Sequence, residues 1–495
     1  MNKPFKTTAF ASFLALSAAF SPAFAANTAI NVGMVLEPPG LDPTSGAAAA
    51  IDEVVYANIF QGLTRFDENG AVLPDLAKSW DISEDGLTYT FHLQTGVKFH
   101  DGTDFDAEDV KFSLDRARAD DSTNAQKALF ADIASVDVVD PATVKITLSK
   151  PNGSLLFNLA WGDAAMVAPE SAADDATKPV GTGPFKFDEW AKGDHVTMSK
   201  FDGYWGTPAK LDKVTFKFIS DPTAAFAAVM AGDVDAFPLY PAPETLSQFE
   251  ADPRFQVIVG STEGETILAM NNGKAPLNDI RVREAIAHAI NRQEIIDGAM
   301  FGYGTPIGTH FAPHNPAYVD LTGLSNYDPE KSKELLKEAG LADGLTLSLK
   351  LPPPSYARRG GEIVAAQLAK VGITANIENV EWAQWLEGPF KNRDYDLTIV
   401  SHTEPMDIGI YGRDDYYFDY HSDEFKKIMA DLNNTTDPAK RTELLQAAQK
   451  RIAEDFVNVY LFELAKTGVA NAKVKGLWKN QPTQANDMSA VYWED

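Results

Sequence analysis

The stretch "PPPSYARRGGEIV", residues 352–364, sets Arg358 and Arg359 where a helix is expected to begin. A helix N-terminus is partially positive, so two cations there oppose the dipole. They belong either to a solvated turn or to a site that takes an anion from outside. A second group of candidates lies in "IVSHTEPMDIGIYGRDDYYFDY", residues 399–420. It holds His402, Glu404 and Asp407, then Tyr411, Arg413, Tyr416, Tyr417 and Tyr420. Tyrosine joins a flat apolar face to a hydroxyl, which suits polar small molecules, although such a run also fits a packed core. Trp382 and Trp385 share a face of the helix before this segment, so one is expected in the core and the other, Trp385 among the candidates, on a cleft wall. Trp161, in "NLAWGDAAM", is a further wall candidate.

Covalent catalysis finds little support. The chain has no cysteine, so disulfides, thiolate metal sites and thiol nucleophiles are excluded. It has neither a G-x-S-x-G elbow nor an H-E-x-x-H helix. His310 and His314 are four apart, but Pro306, Pro313 and Pro316 deny them a shared helical face. "GTGPF", residues 181–185, lacks the Lys-Ser/Thr ending of a phosphate loop and reads as a tight backbone turn. No catalytic residues, metal or cofactor are therefore expected, with a hydrolase as the alternative.

The elements that position these residues are punctuated clearly. Asp221-Pro222 with Gly232, Asp328-Pro329 with Gly340, and Asp437-Pro438 open or close helices by capping and fixed φ. A fourth helix from about Val282 carries Val282, Ala285, Ile286, Ala289 and Ile290 on one face. Strands are expected at 87–93, 144–148 and 213–219. Residues 345–400 alternate strand, helix, strand, helix, strand, the pattern of a parallel α/β sheet. Ligands bind beyond the carboxyl ends of such strands, where the arginine pair and Ser401-His402 both fall.

At 495 residues the chain is expected to form two or three domains. Its net charge of −27 argues against a nucleic acid or an anionic membrane as partner. Lys3 and Lys6, the apolar run 9–20 and Ala23-Phe24-Ala25 read as a cleaved signal peptide, residues 1–25. The product is expected to be periplasmic and not lipid-anchored, since no cysteine stands at the cleavage point.

From Pro74 the chain reads "PDLAKSWDISEDGLTYTFHLQTGVKFHDGTDFDAEDVKFSLDRA". With "EPPGLDP" (37–43), "PVGTGPFKF" (179–187), "YWGTPAKLDKVTFKFI" (204–219), "PLNDIRVREAIAHAINR" (276–292) and "ARRGGEIVAAQLAKVGI" (357–373), it resembles the family-5 periplasmic solute-binding proteins of peptide-type ABC importers. The resemblance implies an α/β, large type II periplasmic-binding-protein-like fold, two hinged lobes plus an inserted domain. Domain I would be 26–72, 178–262 and 470–495, domain II 73–177, and domain III 263–469. It implies a monomer that captures a peptide-like solute and delivers it to an inner-membrane ABC permease with its ATPase. A sugar-opine, an oligosaccharide or a metal chelate held by His402 are alternative solutes. In dipeptide-binding relatives an arginine of the "ARR" stretch holds the ligand carboxylate, which points to Arg358 or Arg359. An aspartate after a Gly-Trp pair holds the ligand ammonium there. Here Ser401-His402 replaces Gly-Trp, and the acid is Glu404 or Asp407. "EPPGLDP" implies backbone contacts near Pro39 and Gly40.

Overall fold

The computed structural model describes residues 27–46 and 48–494, so the expected signal peptide lies outside the described residues. The punctuation residues do the work expected of them. Asp221 accepts from the backbone of Ala224 and opens helix Pro222–Ala231, which ends at Gly232 with φ of 80°. Asp328 and Asp437 cap helices Pro329–Glu338 and Pro438–Glu454 in the same way. The fourth helix, Ile280–Ala289, starts two residues earlier than its apolar stripe because Asp279 caps it.

One 11-stranded sheet joins the two lobes. At one end strand Leu345–Leu351 pairs in parallel with both Ile373–Asn379 and Leu397–His402, confirming the α/β reading. At the other end Ala29–Met34 runs parallel to Lys213–Phe218. Between them lie two long antiparallel strands, Phe255–Met270 and Asn458–Asn471, which pass from one lobe into the other. Their register shifts between Ser261 and Glu265, a bulge where the lobes meet. The inserted region forms its own antiparallel sheet, order Ala77–Ile82, Thr88–Leu93, Thr143–Leu148, Ile133–Asp140, covered by helix Ala107–Arg118. Separate cores follow this division: Val32 and Phe216 centre one, Phe91 and Phe130 another, Leu349 and Ile399 a third. The "GTGPF" segment is a turn pressed on backbone: a Cβ at Gly181 would sit 2.0 Å from the Ile59 carbonyl oxygen.

Candidate functional site

A cavity of ≈ 200 Å³ opens between the lobes, lined by both lobes and by the inserted region. Pro43, Ala49 and Asp52 come from the first lobe, Trp161 and Asp163 from the inserted region, and Gln481 from the C-terminal return. Glu263, Thr403, Glu404 and Pro405 come from the opposite lobe. Four carboxylates, Asp52, Asp163, Glu263 and Glu404, line this space, and no lysine or arginine among the described residues does. Burial raises Asp52 well above the ordinary carboxylate range, with the negative charges of Asp163 and Glu53 adding to it. Burial lifts Asp163 to about 6 and raises Glu263, which His314 partly offsets. Three polar atoms on the wall, Asp52 Oδ1, Trp161 Nε1 and Gln481 Nε2, are sealed from solvent without a hydrogen-bond partner among the described residues.

Beneath the Thr403–Pro405 rim lies a polar network. Strand Leu397–His402 delivers His402, and Met406 at φ 61° turns the chain back into the short helix Asp407–Gly412. That turn sends Glu404 to the cavity and Asp407 inward. Asp407 accepts from His310 Nε2 at 2.7 Å and from His402 Nδ1 at 3.2 Å. The far nitrogens accept from the hydroxyls of Tyr411 (3.1 Å) and Tyr417 (3.0 Å), and Asn458 donates to Tyr411. Burial opposes the Asp407 charge, but the two imidazoles outweigh it and hold the carboxyl below the ordinary range. Burial lowers His310. Donor atoms of His310, His402 and Asp407 lie within 4.8 Å of one another, a set that could hold a divalent ion, and their hydrogen bonds also satisfy them without one. His314 turns elsewhere, to Glu263 at 2.7 Å and Ser261 at 2.7 Å.

Of the sequence candidates, Trp161 and Glu404 meet in the cavity. The others are placed differently. Arg358 reaches the Glu381 carboxylate (3.0 Å) and the Val380 carbonyl (3.3 Å), so the anion beside it comes from the chain's own next helix cap. Arg359 lies over the Phe301 ring at 5.3 Å, away from the cavity lining. Trp385 and Tyr411 are corrections: both are core, Trp385 donating to Thr398 Oγ1 at 2.9 Å and Tyr411 serving His310. Tyr416 is also packed among Phe390, Tyr417 and Phe418, with Arg413 over its ring at 5.0 Å and paired to Asp415. His402 and Asp407 support the rim from below. The first-lobe loop reaches the cavity through Pro43 and Gly46, a few residues beyond the expected Pro39 and Gly40. Sequence reasoning missed Asp52, Asp163, Glu263 and Gln481. The adjacency of Trp161 and Asp163 was a usable signal for one of them.

Residues 71–427 match the family described as bacterial extracellular solute-binding proteins, family 5. The glutathione-binding protein GsiB of Salmonella paratyphi A is 37% identical over 380 residues, covering 75% of this chain and 73% of that protein. GsiB of Escherichia coli K12 is 31% identical over 466 residues, covering 88% of this chain and 89% of that protein. Among solved structures, the periplasmic binding protein DppA of Helicobacter pylori in complex with peptide STSA superposes with a TM-score of 0.74 at 27% identity, over 95% of this chain and 99% of that one. No helix among the described residues is long and apolar enough to cross a membrane. The chain therefore belongs to the family-5 extracellular solute-binding proteins, the ligand-capturing components of ABC importers.

Proposed function

We propose that the mature protein begins at Ala26, works in the periplasm, and captures a peptide-sized solute between its lobes for an inner-membrane permease. The cavity that spans both lobes and presents Glu404 from the strand-end rim carries the reading. The relatives named as glutathione-binding, and the neighbour titled as holding a peptide, support a short peptide or peptide-like molecule as the solute class. Glu404 receives the ammonium of the solute, and Trp161 lies along its body. Arg358 meets the solute carboxylate when the lobes close. Its present partner Glu381 is largely exposed, and such pairs contribute only about 0–1 kcal/mol, so exchange for a ligand carboxylate costs little. Arg359, engaged with Phe301, takes no part.

Thermal denaturation with a solute panel tests this, because a ligand that binds only the folded state raises the apparent stability. Di- and tripeptides should stabilise the protein, and Arg358→Ala should remove most of the shift for carboxylated solutes but little of it for their amides. Stabilisation by neutral oligosaccharides alone, equal in wild type and variant, would overturn the peptide reading. The solute should be recovered intact after long incubation; cleavage products would instead favour a hydrolase.

A further inference from the structure

The first-lobe wall of the cavity is chemically incomplete in a specific way. Asp52, on helix Ala49–Val55, presses against the backbone at Gly162, where a Cβ would sit 2.3 Å from Asp52 Oδ1. Asp163 follows at once and is 7% exposed. Two acids are thereby held against each other with little water, and Glu53 beside them is a third negative neighbour. No basic side chain among the described residues answers them: Arg65, beyond Trp161 in an adjoining pocket, faces Asp75 and Asp487 instead. A buried carboxylate without a cation is costly, so such pairs are usually neutralised by a partner.

An independent feature of the same wall points to a ligand. Gln481 is 5% exposed, lines the cavity, and its Nε2 donates to nothing among the described residues. Trp161 Nε1, also on the wall, is a second unused donor, and Asp52 Oδ1 is an unused acceptor. Buried polar groups in folded proteins are nearly always satisfied, so this set describes what is missing. It lacks a cationic donor between the acids and a carbonyl acceptor in reach of the glutamine and the indole. Trp161 adds an aromatic face, which attracts a cation as well.

We propose that Asp52, Asp163, Trp161 and Gln481 form a subsite for a positively charged group of the transported solute, an ammonium or guanidinium carried beside an amide carbonyl. The subsite rests on the peptide-like reading and narrows it to basic peptides. It sits on the wall opposite Glu404, so the preferred solute carries two cationic groups, its amino terminus and a basic side chain. Glutathione, with its excess of carboxylates, meets four acids here with only Arg358 to answer them and binds more weakly than a lysine-containing tripeptide of similar length.

Calorimetric titration of the mature protein with Gly-Lys-Gly, Gly-Gln-Gly, Gly-Glu-Gly and glutathione tests this directly. The lysine peptide should bind about tenfold or more tighter than the glutamine peptide, since close charge pairs in desolvated sites are coupled by that much or more. The ratio should collapse in Asp52→Asn/Asp163→Asn, whose isosteric amides keep the wall's shape. Titration in buffers of different ionisation enthalpy should also show net proton release on binding of the lysine peptide, because the cation draws down two carboxyls that burial had raised. Equal or tighter binding of glutathione, or a lysine-to-glutamine ratio unchanged in the double variant, overturns the subsite. If no peptide binds but free arginine or a diamine does, with the same dependence on Asp52 and Asp163, the subsite stands and the peptide reading falls. Silence from every peptide and amine refutes the subsite.

Discussion

Replacing Asp175 by asparagine should stabilise the protein, by an amount that grows with pH. Asp175 is fully buried; Oδ1 accepts from the backbone of Val180 at 3.0 Å, and Oδ2 has no partner among the described residues. Burial raises its carboxyl from 3.8 to about 7; nearby Asp42 adds to the rise, while the Val180 bond and Arg116 oppose it. A carboxyl that is easier to protonate folded than unfolded stabilises fully below about pH 4, and the benefit is lost as pH rises toward 7. Each pH unit across that window is worth about 1.4 kcal/mol. Asparagine reproduces the protonated acid, with a carbonyl for Val180 and a donor on the other atom, and does not titrate. The variant's advantage should therefore widen by about 2.5 kcal/mol between pH 5 and pH 7. For a chain of this size that is about 2–3 °C in Tm, more if the lobes melt separately. Scanning calorimetry of both proteins at three pH values reads the difference, and subtraction removes the contributions of His100 and other groups common to both. A gap that stays constant, or narrows as pH rises, refutes the assignment of Asp175 as a neutral buried acid.

Two other substitutions separate support from contact. Arg358→Ala should cost under about 1 kcal/mol of stability, since Arg358 and Glu381 are 38% and 73% exposed, while removing the response to carboxylated solutes. A loss well above that in urea denaturation would make Arg358 a structural residue. Asp407→Ala should cost about 1–3 kcal/mol for each ring it strands, because the N–H groups of His310 and His402 lose their acceptor in a buried site. A denaturation midpoint close to that of wild type would mean the network does not hold the Glu404 rim.

The α/β lobe was legible because its signals are local. Asp437-Pro438 and the alternation of Leu345–Leu351 each specify geometry within a few residues, and the structure follows them. The arginine pair was half legible. One cation at the helix start, Arg358, does meet an anion, but it is the parallel pairing of Leu351 with Asn379 that brings Glu381 to it, a consequence of register rather than spacing. His402 was singled out as a departure from a family pattern, yet its meaning depends on His310, delivered from a distant loop. Asp52 and Gln481 were not legible at all, and Asp163 only through its neighbour Trp161. Each is an ordinary residue in an ordinary segment until three chain segments converge, and in an acidic chain carboxylates carry no mark of their own.

The acid wall links stability to selectivity with a sign that can be checked. If Asp52 were a structural anchor, Asp52→Asn would lower the stability of the unliganded protein. A carboxyl raised by burial and by two like charges destabilises the empty state at neutral pH, so the same change should raise the unliganded Tm. It should also weaken the binding of a lysine peptide, since the repulsion relieved by asparagine is the repulsion a cation would relieve. Functional sites commonly hold such uncompensated charge at the expense of stability. Opposite movement of the two readouts is what a cation subsite requires. A fall in both would return Asp52 to the scaffold, where its contact with Gly162 would be packing and nothing more.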